Sequence, residues 1–258
     1  MVKKEKVVIG TTMSKEYEPY LEAFIQYCLQ ERKSQEHHYE IMPEIIIAIN
    51  NADTSFVEKV AKTVQNAGFN TKILYCKKQF EDNYVAIAQS KNVVFATAYQ
   101  QGADYLLLLD IDTIPVTNCV SNMLRLFKKY KRAVIVSGMY VRKIPNATGV
   151  VVSLRQEEEK KFYNPEIREF YVKAVGFGFM MVSRKFMQHY RCPEERPKGY
   201  LTEDFPLCMK IQEHGDKILF SKDLIAMHIQ YNPDTRKFDI YVPDIQDIAR
   251  NSCIQLSQ

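Results

Sequence analysis

The chain interleaves short, almost wholly apolar runs with segments of helical periodicity. That alternation limits its possible folds more than any other feature. VVIG (7–10), EIIIAIN (44–50), TKILYC (71–76) and DYLLLLD (104–110) are the apolar runs. Continuous apolar runs of strand length are the mark of parallel strands covered on both faces. Between the first two, SKEYEPYLEAFIQYCLQ sets Tyr17, Tyr20, Leu21, Phe24, Ile25 and Cys28 on one helical face. Ser14 suits its N-cap, and Glu16 and Glu18 suit its first turn. SFVE (55–58) reads as a capping box for a second helix, stopped by Gly68. A third helix is expected over 83–101, closed by Gly102. Strands and helices in strict succession predict a right-handed βαβ sheet.

After residue 133 the pattern changes. AVIVSGMYVR (133–142), GVVVSLR (149–155), FYVKAVG (170–176) and FGFMMVSR (177–184) read as strands with no long helix between them. This half is expected to be mixed or antiparallel. QEEEKKFYNPEIRE (156–169) reads as a spacer. A further helix fits 204–214, followed by strands at 217–221 and 224–230, where the ordered pattern is expected to end. The expected organisation is one compact α/β domain over 1–231, split into halves 5–115 and 116–231. A polar tail, with a short helix at DIQDIARNS as the alternative, is expected over 232–258.

Hydrophobic residues make up 46% of the 258, enough for a substantial core. The formal charge of +4 is too small to argue for nucleic acid, and no basic helix or aromatic platform stands out. It is compatible with an anionic small ligand or peripheral contact with an acidic membrane surface. The six cysteines are scattered without a CxxC, as expected of reduced thiols in a cytoplasmic protein. No stretch approaches the roughly 18 apolar residues of a membrane span.

Open α/β sheets bind ligands beyond the carboxyl ends of their strands, where Thr11, Asn50 and Asp110 are expected to stand. There LLLLDIDTIP (106–115) runs from a buried strand into two aspartates. In an extended chain, residues i and i+2 point to one side, so Asp110 and Asp112 can converge. Converging carboxylates repel unless a cation lies between them. A hard divalent ion with oxygen ligands, Mg²⁺ or Mn²⁺, fits, and such ions bind substrate phosphates. The alternative is a pair of solvated loop acids or a helix cap.

LLLLDIDTIP resembles the DxD motif of nucleotide-sugar glycosyltransferases with the GT-A fold. GFGFMMVSRKF (176–186), LTEDFPLCMKIQEHG (201–215) and MHIQ (227–230) match in order, so the resemblance covers roughly 5–230. It implies a Rossmann-like mixed sheet flanked by helices, a UDP- or GDP-sugar donor, and a glycan, lipid-linked or protein acceptor. Asp110 would bind the ribose, or the metal through water, and Asp112 would ligate the metal directly. His228 resembles the third ligand, an imidazole better suited to Mn²⁺ than to Mg²⁺; by itself it reads as a core histidine.

The resemblance places Thr11 and Thr12 near the base and ribose. Asn50, Asn51 and Asp53 lie where an acidic residue meets the base, although turn and capping chemistry would also select them. Lys91, in Ser90-Lys91-Asn92, stands where relatives carry an Arg-Asn pair; it would face the nucleotide or lie on the surface. In inverting members the pair matching Glu203-Asp204 supplies the catalytic base. Asp204 is then the base and Glu203 its support, against the alternative that both serve a helix N-terminus.

The resemblance also suggests that residues 190–197 form a loop closing on the ligands, although an ordinary surface loop fits too. Arg142 and Lys143 would add positive charge near the phosphates, or form an exposed turn. GFGF lacks the strand–turn–helix context of a phosphate fingerprint and reads either as room for the donor sugar or as a tight turn. Two other functions fit less well. A sugar-phosphate nucleotidyltransferase needs a glycine-rich basic loop after the first strand, where this chain has GTTMSKEYEPY. A catalytically inactive sugar- or nucleotide-binding relative would have no need of the intact acidic pairs.

Overall fold

The first half folds as the alternation dictates. The computed structural model describes residues 4–34, 39–75, 82–116, 118–140, 152–200 and 202–241. Strand β1 (Glu5–Met13) is followed by a 3-10 turn (Lys15–Tyr20) and α1 (Leu21–Lys33). Then come β2 (Tyr39–Ile49), α2 (Thr54–Asn66), β3 (Asn70–Tyr75), α3 (Asn83–Gln100) and β4 (Tyr105–Leu109). Strands β1 and β2, β2 and β3, and β1 and β4 all pair in parallel. Gly68 and Gly102 close their helices with positive φ, as anticipated, and Gly215 does the same after the helix at 204–213.

Two cap assignments change. Ser14 makes no side-chain cap bond; its hydroxyl donates to Glu16 (3.2 Å), and Pro19 interrupts the first helical segment. The SFVE capping box does not form either. Helix α2 starts two residues earlier than such a box would set it, and Asp53 is its N-cap, accepting from the Phe56 amide at 2.8 Å.

The four leucines of β4 are wholly buried, and alternate between two cores. Leu107 and Leu109 pack in a core with Phe24 of α1 and Phe56 of α2. Leu106 and Leu108 pack in the other with Phe95 of α3. Each side chain so removed from water contributes about 1.5–3 kcal/mol.

The second half comprises β5 (Thr113–Pro115), α4 (Cys119–Lys129), β6 (Ala133–Met139), β7 (Val152–Ser153), α5 (Gln156–Tyr163), β8 (Glu169–Val172) and β9 (Ala174–Val175). It continues with β10 (Phe179–Ser183), α6 (Arg184–His189), α7 (Asp204–Glu213), β11 (Lys217–Asn232) and β12 (Lys237–Tyr241). Ten strands form one mixed sheet whose main path is β3-β2-β1-β4-β10-β6-β11-β12, with β5 and β8 also paired to β11. Strand β10 is antiparallel to both β4 and β6, so the expected mixed character is present.

Several expected elements differ. The spacer at 156–169 contains α5, whose acidic first turn and basic last turn suit the helix dipole. The strand expected at 170–176 is broken at Lys173 into β8 and β9. The strands expected at 217–221 and 224–230 are one strand, β11. Residues 232–241, expected to open a tail, complete β11 and form β12 in an antiparallel pair. Residues 242–258, with the helix considered there, lie outside the described residues, as do Arg142, Lys143 and the first three residues of the strand expected at 149–155, whose next two form β7.

Helix α4 was not anticipated, and its cap is supplied from outside it. Asn118 makes no side-chain cap bond. Instead the buried Glu31 carboxylate of α1 accepts from the Val120 amide and from the Tyr27 hydroxyl, both at 3.2 Å. This satisfies an amide that the helix cannot pair internally.

Candidate functional site

The turn after β4 is fixed by backbone bonds on both sides. The Asp110 amide donates to the Gly178 carbonyl (2.9 Å), and the Thr113 amide donates to the Asp110 carbonyl (2.9 Å). The Ile229 amide of β11 donates to the Asp112 carbonyl at 2.9 Å. The antiparallel register of β5 and β11 sets Thr113 against His228. Those bonds bring His228 Nε2 to 3.3 Å from Asp112 Oδ1.

Asp110 faces the same space from the other side. A Cβ added to Gly178 would fall 2.7 Å from Asp110 Oδ2 and 3.0 Å from the Tyr140 ring. Gly178 is therefore small because Asp110 and Tyr140 occupy the room a side chain would need. The Tyr140 hydroxyl accepts from the Gly178 amide at 3.1 Å. The GFGF segment is a turn, and its glycine makes way for the aspartate.

Lys91 is no surface lysine. It is 4% exposed on α3, and its ammonium donates to Glu203 Oε1 at 2.7 Å. It also lies 3.9 Å from Asp110 Oδ1 and 5.6 Å from the centre of the Phe177 ring. Burial opposes its charge, but the carboxylates of Glu203, Asp110 and Asp204 outweigh that effect and hold the ammonium above its usual range. Asp110 is raised above the ordinary carboxylate range by burial; Lys91 opposes the shift, and the charges of Asp112 and Glu203 reinforce it.

Helix α7 begins at Asp204, whose Oδ1 accepts from the Phe205 amide at 2.8 Å. Burial, reinforced by the Glu203 charge, pushes its carboxyl up to about 6. Glu203 is 4% exposed and engaged by Lys91.

These groups line one cleft of about 600 Å³, within the range of small-molecule sites. Asp110, Asp112, His228, Lys91, Glu203 and Asp204 line it. Thr12, Asn50 and Asn51 lie on its walls, at the ends of β1 and β2. Two expected residues do not line it. Thr11 is fully buried in β1, and its hydroxyl donates to the Thr12 carbonyl. Asp53 caps α2 and pairs with Lys15 at 2.8 Å. The wall also carries side chains that the sequence did not assign to the site, Tyr17, Tyr140 and Thr202 among them. Burial and the charges of Asp112 and Asp110 push the Tyr17 phenol up to about 12. In the sequence, Tyr17 reads only as part of a helical stripe, because the interruption at Pro19 is invisible to periodicity.

The loop at 190–197 is tied to α3 and to its N-cap, and none of its residues lines the cleft. Asn92 donates to the Cys192 carbonyl (2.9 Å) and accepts from the Cys192 amide (2.7 Å). Gln89 donates to Glu194 (3.1 Å), and Arg196 pairs with Asp82 and lies over the Tyr84 ring.

Among the described residues, no three His, Cys, Asp or Glu side chains form a ready-made metal cage. The donor set nevertheless fits a divalent ion that takes two protein ligands and completes its shell with water and phosphate oxygens. Asp112 Oδ1 and His228 Nε2 already converge. Cis ligands of an octahedral ion at about 2.1 Å lie about 3 Å apart. The neighbouring negative charges of Asp110 and Glu203 exceed the single ammonium between them.

No protein-family model matches the sequence, and a search of the curated proteins finds no match. Solved structures do match. GalNAc-T7 with UDP, GalNAc and Mn²⁺ superposes with a TM-score of 0.60 at 14% identity, covering 85% of this chain and 43% of that one. S. aureus TarS in complex with UDP-GlcNAc gives a TM-score of 0.52 at 14% identity, covering 86% of this chain and 56% of that one. The chain thus spans about half the length of these two solved chains. The fold is GT-A-like, as the order of motifs implied.

Proposed function

We propose that the protein is a metal-dependent glycosyltransferase that moves a sugar from a nucleotide-sugar donor to an acceptor hydroxyl with inversion. The observation that carries this reading is the meeting of two acidic elements in one cleft. The Asp112–His228 pair stands on one side of it, and Asp204 on the other.

The nucleoside of a UDP- or GDP-sugar would lie along the ends of β1 and β2, against Thr12, Asn50 and Asn51. Asp112 and His228 would hold a Mn²⁺ or Mg²⁺ ion, with Asp110 contacting the ribose or the ion's water. Such an ion would offset the charge that develops on the leaving diphosphate. The acceptor oxygen attacks the anomeric carbon as the bond from that carbon to the diphosphate breaks. The diphosphate leaves with the electron pair, and Asp204 takes the hydroxyl proton. A carboxyl near 6 is ionised at neutral pH yet basic enough to help, as efficient general bases are. Glu203 is engaged by Lys91, so its part is to hold the base in place.

The acceptor is a glycan, a lipid-linked saccharide or a protein. The half at 5–115 is read as the donor side and that at 116–231 as the acceptor side. Cys28, Cys119, Cys192 and Cys208 are buried free thiols, which supports a reducing, cytoplasmic setting. Among the described residues no helix is long and apolar enough to cross a membrane; a peripheral membrane contact is compatible with this.

Calorimetry with Mn²⁺ and a panel of nucleotide sugars, followed by donor hydrolysis without acceptor, tests this reading. The expected result is metal-dependent binding and slow hydrolysis of one donor. Absence of metal-dependent binding across the panel overturns the reading. Binding without hydrolysis or transfer would make the protein an inactive relative.

A further inference from the structure

Lys91 is the one described cation buried between the two acidic elements of the cleft. It is bonded to Glu203 at 2.7 Å and lies 3.9 Å from Asp110. Both of its ion pairs are to carboxylates on other elements: the turn after β4, and the residue just before α7. A buried ammonium shared by carboxylates that repel each other cannot serve both fully. Whatever neutralises one leaves it freer for the other.

We infer that Lys91 is a positioning residue that couples the two sides of the cleft: cation binding beside Asp110 releases the ammonium toward Glu203 and so seats the N-terminus of α7, where Asp204 stands. This rests on the transferase reading above and adds a binding order to it. Without a cation, Lys91 divides its charge between Asp110 and Glu203. With a cation and diphosphate in place, Asp110 no longer needs Lys91, and the Lys91–Glu203 bond tightens. Donor and metal then prepare the base before the acceptor arrives. Asn92, next to Lys91, clamps the Cys192 backbone through both its amide atoms, so α3 and the loop before α7 are held as one unit.

The coupling predicts opposite signs for two substitutions. Lys91→Met removes a positive charge 3.9 Å from Asp110 and is expected to tighten Mn²⁺ binding. The size is about five-fold, that of one charge contact at this separation in a high dielectric. Glu203→Gln releases Lys91 onto Asp110, where it competes with the ion, and is expected to weaken Mn²⁺ binding by about the same factor. Mn²⁺ affinity is read by calorimetry and by the electron paramagnetic resonance of free Mn²⁺, without donor.

In the double variant the Mn²⁺ affinity is expected to lie near that of Lys91→Met, because the effect of Glu203 runs through the lysine. Lys91→Arg is expected to keep transfer, whereas Lys91→Met lowers kcat while the donor KM stays near wild type. Should Lys91→Met fail to fold, Glu203→Gln carries the test alone, since its expected loss of Mn²⁺ affinity needs no second variant. Equal Mn²⁺ affinity in wild type and Glu203→Gln overturns the inference and leaves the transferase reading standing. So do shifts of the same sign in both single variants. Wild type that binds no Mn²⁺ without donor also overturns the inference; the transferase reading falls only if metal-dependent donor binding is absent as well.

Discussion

Asp112 Oδ1 and His228 Nε2 lie 3.3 Å apart, although one follows β4 and the other sits on β11 in the opposite half of the chain. The contact is set by backbone, through the bond from the Ile229 amide to the Asp112 carbonyl and the pairing of Thr113 with His228. Side-chain substitutions there are therefore expected to change chemistry without unfolding the sheet.

Asp112→Asn keeps the shape of the side chain and removes its charge. Calorimetry is expected to show Mn²⁺-dependent nucleotide-sugar binding weakened at least about ten-fold, with the circular dichroism spectrum and thermal midpoint near wild type. Undiminished binding would remove Asp112 as a ligand.

Asp204→Asn is expected to retain donor binding and lose transfer by about 10²–10⁴-fold, the usual worth of a positioned general base. In the wild type, kcat is expected to rise with pH through about 6 and then level, because the base acts only when ionised. A profile flat from pH 5 to 8 would assign the proton to another group.

The same raised carboxyl has a stability cost of definite sign. Unfolded, Asp204 titrates near 4; folded, it titrates at about 6. Between those values the native state holds more protons than the unfolded one, so this group's contribution to stability falls as pH rises across the window. Above about pH 6 the penalty is complete. Asp204→Asn is expected to be more stable than wild type at pH 7.5, by up to about 3 kcal/mol, and no more stable below pH 4. Urea titrations at the two pH values measure this.

Gly178→Ala places a methyl 2.7 Å from Asp110 Oδ2. The carboxylate can swing aside, and the buried Tyr140 ring, 3.0 Å from the methyl, must give by a few tenths of an ångström, so the protein is expected to fold with a modestly lowered thermal midpoint. The swing costs the aspartate its place, and metal-dependent donor binding is expected to fall several-fold. A large drop in midpoint with binding preserved would show that the sheet had moved instead.

Glu31→Ala removes the carboxylate that caps α4 from α1 and leaves the Val120 amide and Tyr27 hydroxyl without that acceptor. Urea unfolding is expected to show a loss of about 2–3 kcal/mol. Donor binding at low temperature is expected to stay unchanged, because Glu31 does not line the cleft.

The parallel half was legible because a strand buried on both faces needs an unbroken apolar run, and β1, β2 and β4 have one. The acidic turn after β4 was legible because an open sheet presents its ligands at that edge. Helix α4 carries a helical stripe in Val120, Met123, Leu124 and Phe127, and only its start lacks a local signal, because its cap comes from Glu31, far away in the chain; α5 was missed because its charge run also suits a solvated loop. Strand β12 was missed because its residues are exposed and polar residues precede it. Asp53 was drawn into the site by its place after β2, yet one carboxylate that caps a helix and pairs with Lys15 has little left to offer a base. The burial of Lys91 leaves no trace in local sequence, since it follows from Glu203 and Asp110 arriving from elsewhere.

Strand β11 slips register against β6 between Ser221 and Ile225 before it reaches His228. Side chains of a strand change sides at every step, so the slip acts as a phase adjuster: it decides which face the imidazole emerges on. Shortening that stretch by a single residue would turn His228 to the far side of the sheet while leaving the residue itself untouched. Lineages that lose or gain one residue there would thus be expected to abandon the histidine altogether, whatever else they keep.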